Sequence, residues 1–221
     1  QILKNESYRL VHLEHPELRA DIFADHLWIY DYAKEGLNPT DKELIRQFAS
    51  EKKLNLTIRH MLNRGHGVGG LESSTLESDA TPQWKAQENA VNYIVKTNSG
   101  FSPGLFLDQR ENRKWVQKNS ENKKILNLFS YTSGFSVNAA LGQASEVTTV
   151  DVSQKFLDWS KENFALNNLD SNKYEFYCQD SVVFLKGSLK RSRKWDLIIC
   201  DPPSFARTSK SVWKLESDLP E

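Results

Sequence analysis

Apolar and polar positions alternate in short runs through the first hundred residues. Tyr8 to Leu13 (YRLVHL) alternates like a half-buried strand. Ile22 to Tyr32 (IFADHLWIYDY) divides into two short strands around Asp25-His26. Thr40 stands where a helix would be capped, and Leu44, Ile45 and Phe48 then share one face to about Lys53. Leu56 to Leu62 predicts another strand. Residues 63–82 are rich in Gly and Ser without periodicity and predict a mobile loop, and Trp84 to Thr97 predicts a hairpin.

From about Asp108 the pattern changes to strands separated by helices. Helix 108–118 precedes strand 125–130, helix 135–142 and strand 146–151; Ser153 is placed to cap a helix to about Asn167. Strand 174–179, a short helix 181–186 and strand 195–200 follow. Such alternation implies a parallel sheet with right-handed crossovers, whose ligand lies beyond the carboxyl ends of the strands. The expected organisation is a small α+β domain over residues 1–103 and an α/β domain over 104–221. The pattern stops after the fourth strand, and WDLIIC, apolar on both faces, would be an exposed edge. Either the chain is a fragment or something covers that edge.

Composition narrows the class. The chain has 221 residues, 29 basic, 29 acidic and 38% hydrophobic, a globular balance. No apolar run reaches bilayer length, and the N-terminus lacks the order of a signal peptide. Cys178 and Cys200 both fall on predicted strands, so a disulfide framework is not expected and a cytoplasmic setting is. No metal site is expected. Zero net charge still permits local patches. Lys186, Lys190, Arg191, Arg193 and Lys194 fall within nine positions free of acid, which fits either an RNA contact or a solvated loop.

Three constellations carry chemistry. In the first, Phe129-Ser130-Tyr131-Thr132-Ser133-Gly134-Phe135 follows a strand, and Gly134 would allow a sharp turn close to a ligand. N–H groups at the following helix start can meet a carboxylate. Asp151 lies 17 positions beyond Gly134, near the roughly 20 typical of a ribose-binding acid. Ser153 is placed to assist or simply to cap its helix; Asp180 would accept from an adenine amino group, with Val182 against the ring. This is a half-site for an adenosine-containing cofactor. G-x-G-x-x-G and a Walker loop are both absent, which disfavours nicotinamide and nucleotide triphosphate.

In the second, Asp201-Pro202-Pro203-Ser204-Phe205 ends a strand. The prolines fix the backbone and remove two N–H donors, so carbonyls there can accept from the N–H groups of a base. Asp201 would sit near a transferring methyl, and Phe205 would stack on an extruded base or pack in the core. Together the two motifs point to S-adenosylmethionine (SAM) and a planar nitrogenous acceptor. Cys178 and Cys200, on apolar strands, are expected to face the core and are poor nucleophile candidates. In the third, Gln109, Arg110 and Arg113 of GLFLDQRENR share a helical face, suited to a cofactor carboxylate or an RNA phosphate, or to ion pairs with Asp108 and Glu111.

In this order, GLFLDQRENR, LNLFSYTSGF, TTVDVSQKFLDWSKENFALNN and DLIICDPPSF resemble the bacterial SAM-dependent methyltransferases of large-subunit ribosomal RNA. The match is close from about residue 84 and looser over residues 8–33, and favours the guanine-N7 branch over the cytosine-C5 branch. The resemblance implies a Rossmann-like class I methyltransferase fold with a partial parallel sheet, SAM as cofactor, and a flipped base of 23S rRNA or a pre-50S particle as acceptor. It implies that Phe129, Tyr131, Ser133 and Gly134 line the methionine end of SAM, Asp151 the ribose and Asp180 the adenine edge, with Asp201, Pro202 and Pro203 facing the acceptor. Competing expectations are a C5 enzyme with its Cys beyond residue 221, a SAM-binding module inactive by itself, and amino-methylation of DNA.

Overall fold

The structure, a computed structural model, describes residues 5–12, 14–61, 74–78, 82–99, 102–203, 205–207 and 212–214. The chain divides into two compact units, Gln1–Glu111 and Asn112–Glu221.

The first unit is built on a five-stranded sheet in which β1 (Ser7–Val11), β2 (Leu18–Phe23), β3 (His26–Asp31), β4 (Asn55–Met61) and β5 (Ser74–Ser78) lie in chain order. All neighbours are antiparallel except β3 and β4, which are parallel and joined through helix α1 (Pro39–Lys52). Ile22, Leu27, Ile29, Leu37, Ala49 and Ile58 form its core. The helix start differs from the sequence reading. Asn38, not Thr40, is the cap: its side chain accepts the Asp41 N–H at 2.8 Å, and Pro39 occupies the first helical turn, where its missing N–H costs nothing. The stretch read as an aperiodic loop contains β5, paired with β4; the remainder of 63–82, apart from Pro82, lies outside the described residues, as do Leu13 and Leu62. β6 (Gln83–Glu88) and β7 (Val91–Lys96) form the expected hairpin, and its two turn residues, Asn89 and Ala90, both have positive φ, as a tight hairpin of this twist requires.

In the second unit four strands are all parallel, in the order β10 (Glu175–Cys178), β9 (Glu146–Asp151), β8 (Lys124–Leu128), β11 (Leu197–Cys200). This is third-second-first-fourth by sequence, the opening order of a Rossmann-like sheet, with its reversal between β8 and β11. The helices are α2 (Arg110–Lys118), which begins as the units divide, α3 (Gly134–Leu141), α4 (Gln154–Leu166) and α5 (Ser181–Lys190), the last longer than the short helix expected. Ile125, Leu126, Leu128, Val147 and Val150 are buried, as central parallel strands require. Among the described residues β11 is an edge strand, the position the sequence reading gave WDLIIC, and Ile198 on it is 51% exposed. Both cysteines are likewise exposed and free, contrary to the expectation that they face the core. Both lie at the last position of an outer strand of the described sheet. No helix among the described residues is long and apolar enough to cross a membrane, and among the same residues there is no group of His, Cys, Asp or Glu arranged to hold a metal.

A candidate cofactor site at the carboxyl ends of the parallel strands

The strand register decides which residues meet. Leu128 pairs with Val150 and Cys200, and Asp151 with Cys178. The four strands therefore end level, and the segments beginning at Phe129, Asp151, Gln179 and Asp201 leave from one side of the sheet. With strands about 4.8 Å apart, three gaps span roughly 14 Å, the scale of a nucleoside.

Asp151 ties the two central ends together. Its Oδ2 accepts the Tyr131 N–H at 2.8 Å and its Oδ1 the Ser153 N–H at 2.9 Å, with a further bond from the Val152 N–H. The Ser130 N–H reaches the Val150 carbonyl at 3.1 Å, closing the same corner. The carboxylate is 8% exposed, and burial pushes its pKa up against the opposing pull of those three backbone bonds. An anionic acceptor is thus held nearly dry at a strand end.

The loop from Phe129 to Ser133 is wound in an unusual way. Phe129, Tyr131 and Ser133 have φ of 52°, 50° and 65°, the left-handed region that side chains with a Cβ avoid. Sequence reasoning assigned that freedom to Gly134. Gly134 instead opens α3, and it is not among the positive-φ glycines, Gly36 and Gly104. Non-glycine residues in this region cost of order 1 kcal/mol each and persist only where surroundings enforce them. Here the enforcement is visible. The Ser133 hydroxyl bonds the Ser160 hydroxyl at 2.6 Å, Ser160 reaches the Tyr131 carbonyl at 3.2 Å, and Asn163 donates to the Thr132 carbonyl at 3.0 Å. The Tyr131 ring stands edge-on to Phe156 at 4.6 Å. Thus α4 grips the loop through Ser160, Asn163 and Phe156, three residues that sequence reasoning missed; their spacing along one helical face was the available signal.

Because Ser133 is the N-cap of α3 yet gives its side chain to Ser160, no side chain caps that helix start. The buried Ser130 hydroxyl has no hydrogen-bond partner within the described residues. These donors and the Asp151 carboxylate suit the polar groups of an amino-acid nucleoside: N–H groups for a carboxylate, an acid for vicinal hydroxyls.

Asp180 is the N-cap of α5, accepting the Val183 N–H at 3.0 Å; Val182 follows, half-buried. Ser153 occupies the cap position of α4 but makes no capping bond with its side chain, contrary to expectation; its N–H goes to Asp151. Asp201 and Pro203 are exposed and Pro202 half-buried, directly after β11 and beside the end of β8. Phe205 opens a short strand, β12 (Phe205–Arg207), paired with β13 (Val212–Lys214); its side chain and Ser204 lie outside the described residues.

The presumed shared face of Gln109, Arg110 and Arg113 is divided between the units. Arg110 donates to the Ser7 carbonyl at 2.5 Å, to Glu6 at 3.0 Å and to Asn89 at 3.0 Å, all within the first unit. Gln109 ends a short 3-10 turn of that unit. Arg113 is buried in the second unit with its guanidinium 6.0 Å from the Phe135 ring, beside the start of α3. Cys200, exposed but partly desolvated by its neighbours, carries a thiol whose pKa is pushed up by that desolvation and by the adjacent Asp201, which keeps it protonated.

The chain is similar to known proteins in both sequence and fold. A family described as S-adenosylmethionine-dependent methyltransferase matches residues 47–217. Ribosomal RNA large subunit methyltransferase K of Neisseria meningitidis serogroup B is 32% identical over 93% of this chain and 60% of its own length. Ribosomal RNA large subunit methyltransferase K/L of Shewanella sp. strain MR-4 is 33% identical over 93% of this chain and 30% of its own length. The chain therefore spans only part of these relatives. Among solved structures, a methyltransferase complexed with SAH superposes with a TM-score of 0.82 at 29% identity, covering 97% of this chain and 56% of that one. A SAM-dependent methyltransferase from Streptococcus mutans gives 0.81 at 26% identity, covering 97% and 55%.

Proposed function

Because this chain belongs to the S-adenosylmethionine-dependent methyltransferase family, we propose that it carries the cofactor-binding and methyl-transfer machinery of an enzyme acting on a base of large-subunit ribosomal RNA, with guanine N7 as the acceptor atom. The observation that carries the cofactor reading is the convergence of the Phe129–Ser133 loop on the buried Asp151 carboxylate. The acceptor reading is supported by the names of the relatives and by the Asp-Pro-Pro-Ser-Phe segment after β11.

When bound, SAM supplies a methyl on a sulfonium, transferred by in-line displacement. The chain's contribution is alignment and electrostatics. Asp151 would hold the ribose hydroxyls, the uncapped start of α3 with Ser130, Ser133 and Gly134 the methionine carboxylate, and Arg113 would add positive potential there. Asp180 keeps one oxygen without a bond to another described residue, which suits it to an adenine amino group. Asp201 and the carbonyls of the proline segment would accept N–H groups of the base, and Phe205 would stack on it. A ring nitrogen with an accessible lone pair needs no covalent nucleophile, in keeping with the protonated Cys200.

The test is calorimetric titration with SAM and transfer of a tritiated methyl to unmodified 23S rRNA, with mapping of the modified position. Absence of SAM binding overturns the cofactor reading. SAM binding with methylation of DNA but not RNA overturns the acceptor class, and label at cytosine C5 overturns the acceptor atom. Asp201→Ala is expected to abolish transfer while leaving SAM affinity within about twofold.

A further inference from the structure

The opposite end of the parallel sheet carries a groove that the chemistry above does not use. It encloses about 620 Å³ and is lined by Lys124 and Glu146, at the starts of β8 and β9, and by residues 191–196 leading into β11. Four cations line it against two carboxylates.

The pairing of these charges is informative. Glu146 is neutralised by Lys124 at 2.6 Å, and Asp196 accepts the Lys124 N–H at 2.8 Å. Arg193 is held by Glu175, donates to the Tyr177 hydroxyl at 3.2 Å and lies 5.0 Å from the centroid of Trp195. Arg191 and Lys194 are exposed, and neither has a carboxylate partner among the described residues. Lys186 and Lys190 continue the exposed positive strip along α5. Lys190 and Arg191 also suit the negative end of the α5 dipole, but Lys194 lies beyond the helix, and that role does not account for it. The free cations are strung along a helix end and a loop rather than converging on one point. That layout fits successive phosphates of a polymer, not a single small anion.

We infer that this groove is a second RNA contact surface, in which Arg191 and Lys194, with Lys190 at its margin, seat phosphates of the substrate strand away from the base being modified. The inference rests on the RNA reading of the acceptor. β8 has five residues, so the groove lies about 15 Å from the methyl-transfer end. An RNA engaging both must extend along the flank of the sheet. Contacts of this kind fix orientation rather than sequence.

The experiment measures binding of the whole chain to an unmodified 23S rRNA transcript and to poly(U) as a function of salt, for the wild type and for Arg191→Ala/Lys194→Ala. Both side chains are exposed, so the fold is expected to be retained, with SAM affinity as the check. The double variant is expected to bind both RNAs about tenfold more weakly near 0.1 M salt, with a log–log salt slope shallower by about 2, one per phosphate contact removed. kcat and SAM affinity should be unchanged while KM for RNA rises. Unaltered RNA affinity and slope in a variant that still methylates RNA would overturn the groove assignment alone. No RNA binding by the wild-type chain would overturn both the groove and the RNA reading. Binding of the groove to an acidic peptide but not to poly(U) would reassign it to a protein partner.

Discussion

Asp151 joins two strand ends through backbone N–H groups while keeping its charge in a nearly dry corner, and its ionisation should be visible in ligand affinity. Burial raises its pKa, so protonation begins above the ordinary aspartate value of about 3.9. The ionised form is the one proposed to accept ribose hydroxyls. SAM affinity should therefore be flat near neutrality and weaken on acidification, with the bend at a pH above 3.9, as calorimetry across pH would show. Asp151→Asn should raise the SAM dissociation constant about 30-fold or more, for loss of about 2 kcal/mol of charge-assisted bonding. It should also destabilise the fold by about 1–3 kcal/mol, because an amide has only one acceptor oxygen for two backbone N–H groups on opposite sides. At Cys200 the sign is the reverse of an activated thiol. In a Cys178→Ser background, alkylation by iodoacetamide should be slow at neutral pH and rise only in alkaline buffer, because burial and Asp201 both disfavour the thiolate.

At the scale of elements, α2 and α3 meet where a side chain has no room. A Cβ placed on Gly142 would lie 2.0 Å from the Gln117 carbonyl oxygen, a backbone atom that cannot rotate away. Gly142→Ala should lower stability by about 1–3 kcal/mol or more, read as a fall in the urea midpoint. The sequence reading placed that glycine as the last residue of the predicted helix 135–142, whereas it caps α3; its purpose depends on a neighbour 25 positions earlier. The strands and their ends were legible, since alternating strands and helices specify a parallel sheet, and Asp151, Asp180 and Asp201 each stand at or just beyond the end of a predicted strand. The conformations between them were not. Three residues with ordinary side chains, not the glycine, take the left-handed turns, because α4 compensates them through Ser160 and Asn163. The Asn38 cap was obscured by Thr40 two residues on.

For the whole molecule, two compact units imply that one ligand need not steady both. SAM, bound as proposed at the strand ends of the second unit, would stabilise that unit by mass action, about 2.7 kcal/mol at a hundredfold excess over its dissociation constant. Hydrogen exchange should slow in β8, β9 and the start of α3. Residues 5–61, in the first unit, should change little. Equal slowing in that sheet would mean that the units respond as one. The second unit also carries, at the end of the sheet opposite the proposed cofactor site, a groove lined by four cations and two carboxylates.

The winding of the Phe129–Ser133 loop bears on which amino acids those positions will accept. Left-handed backbone is kindest to Gly, Asn and Asp and harshest to branched side chains. A library randomised at 129, 131 and 133, selected for solubility alone, should enrich the former and purge Val, Ile and Thr, so that the tolerated alphabet of this corner reports chain handedness rather than hydrophobicity.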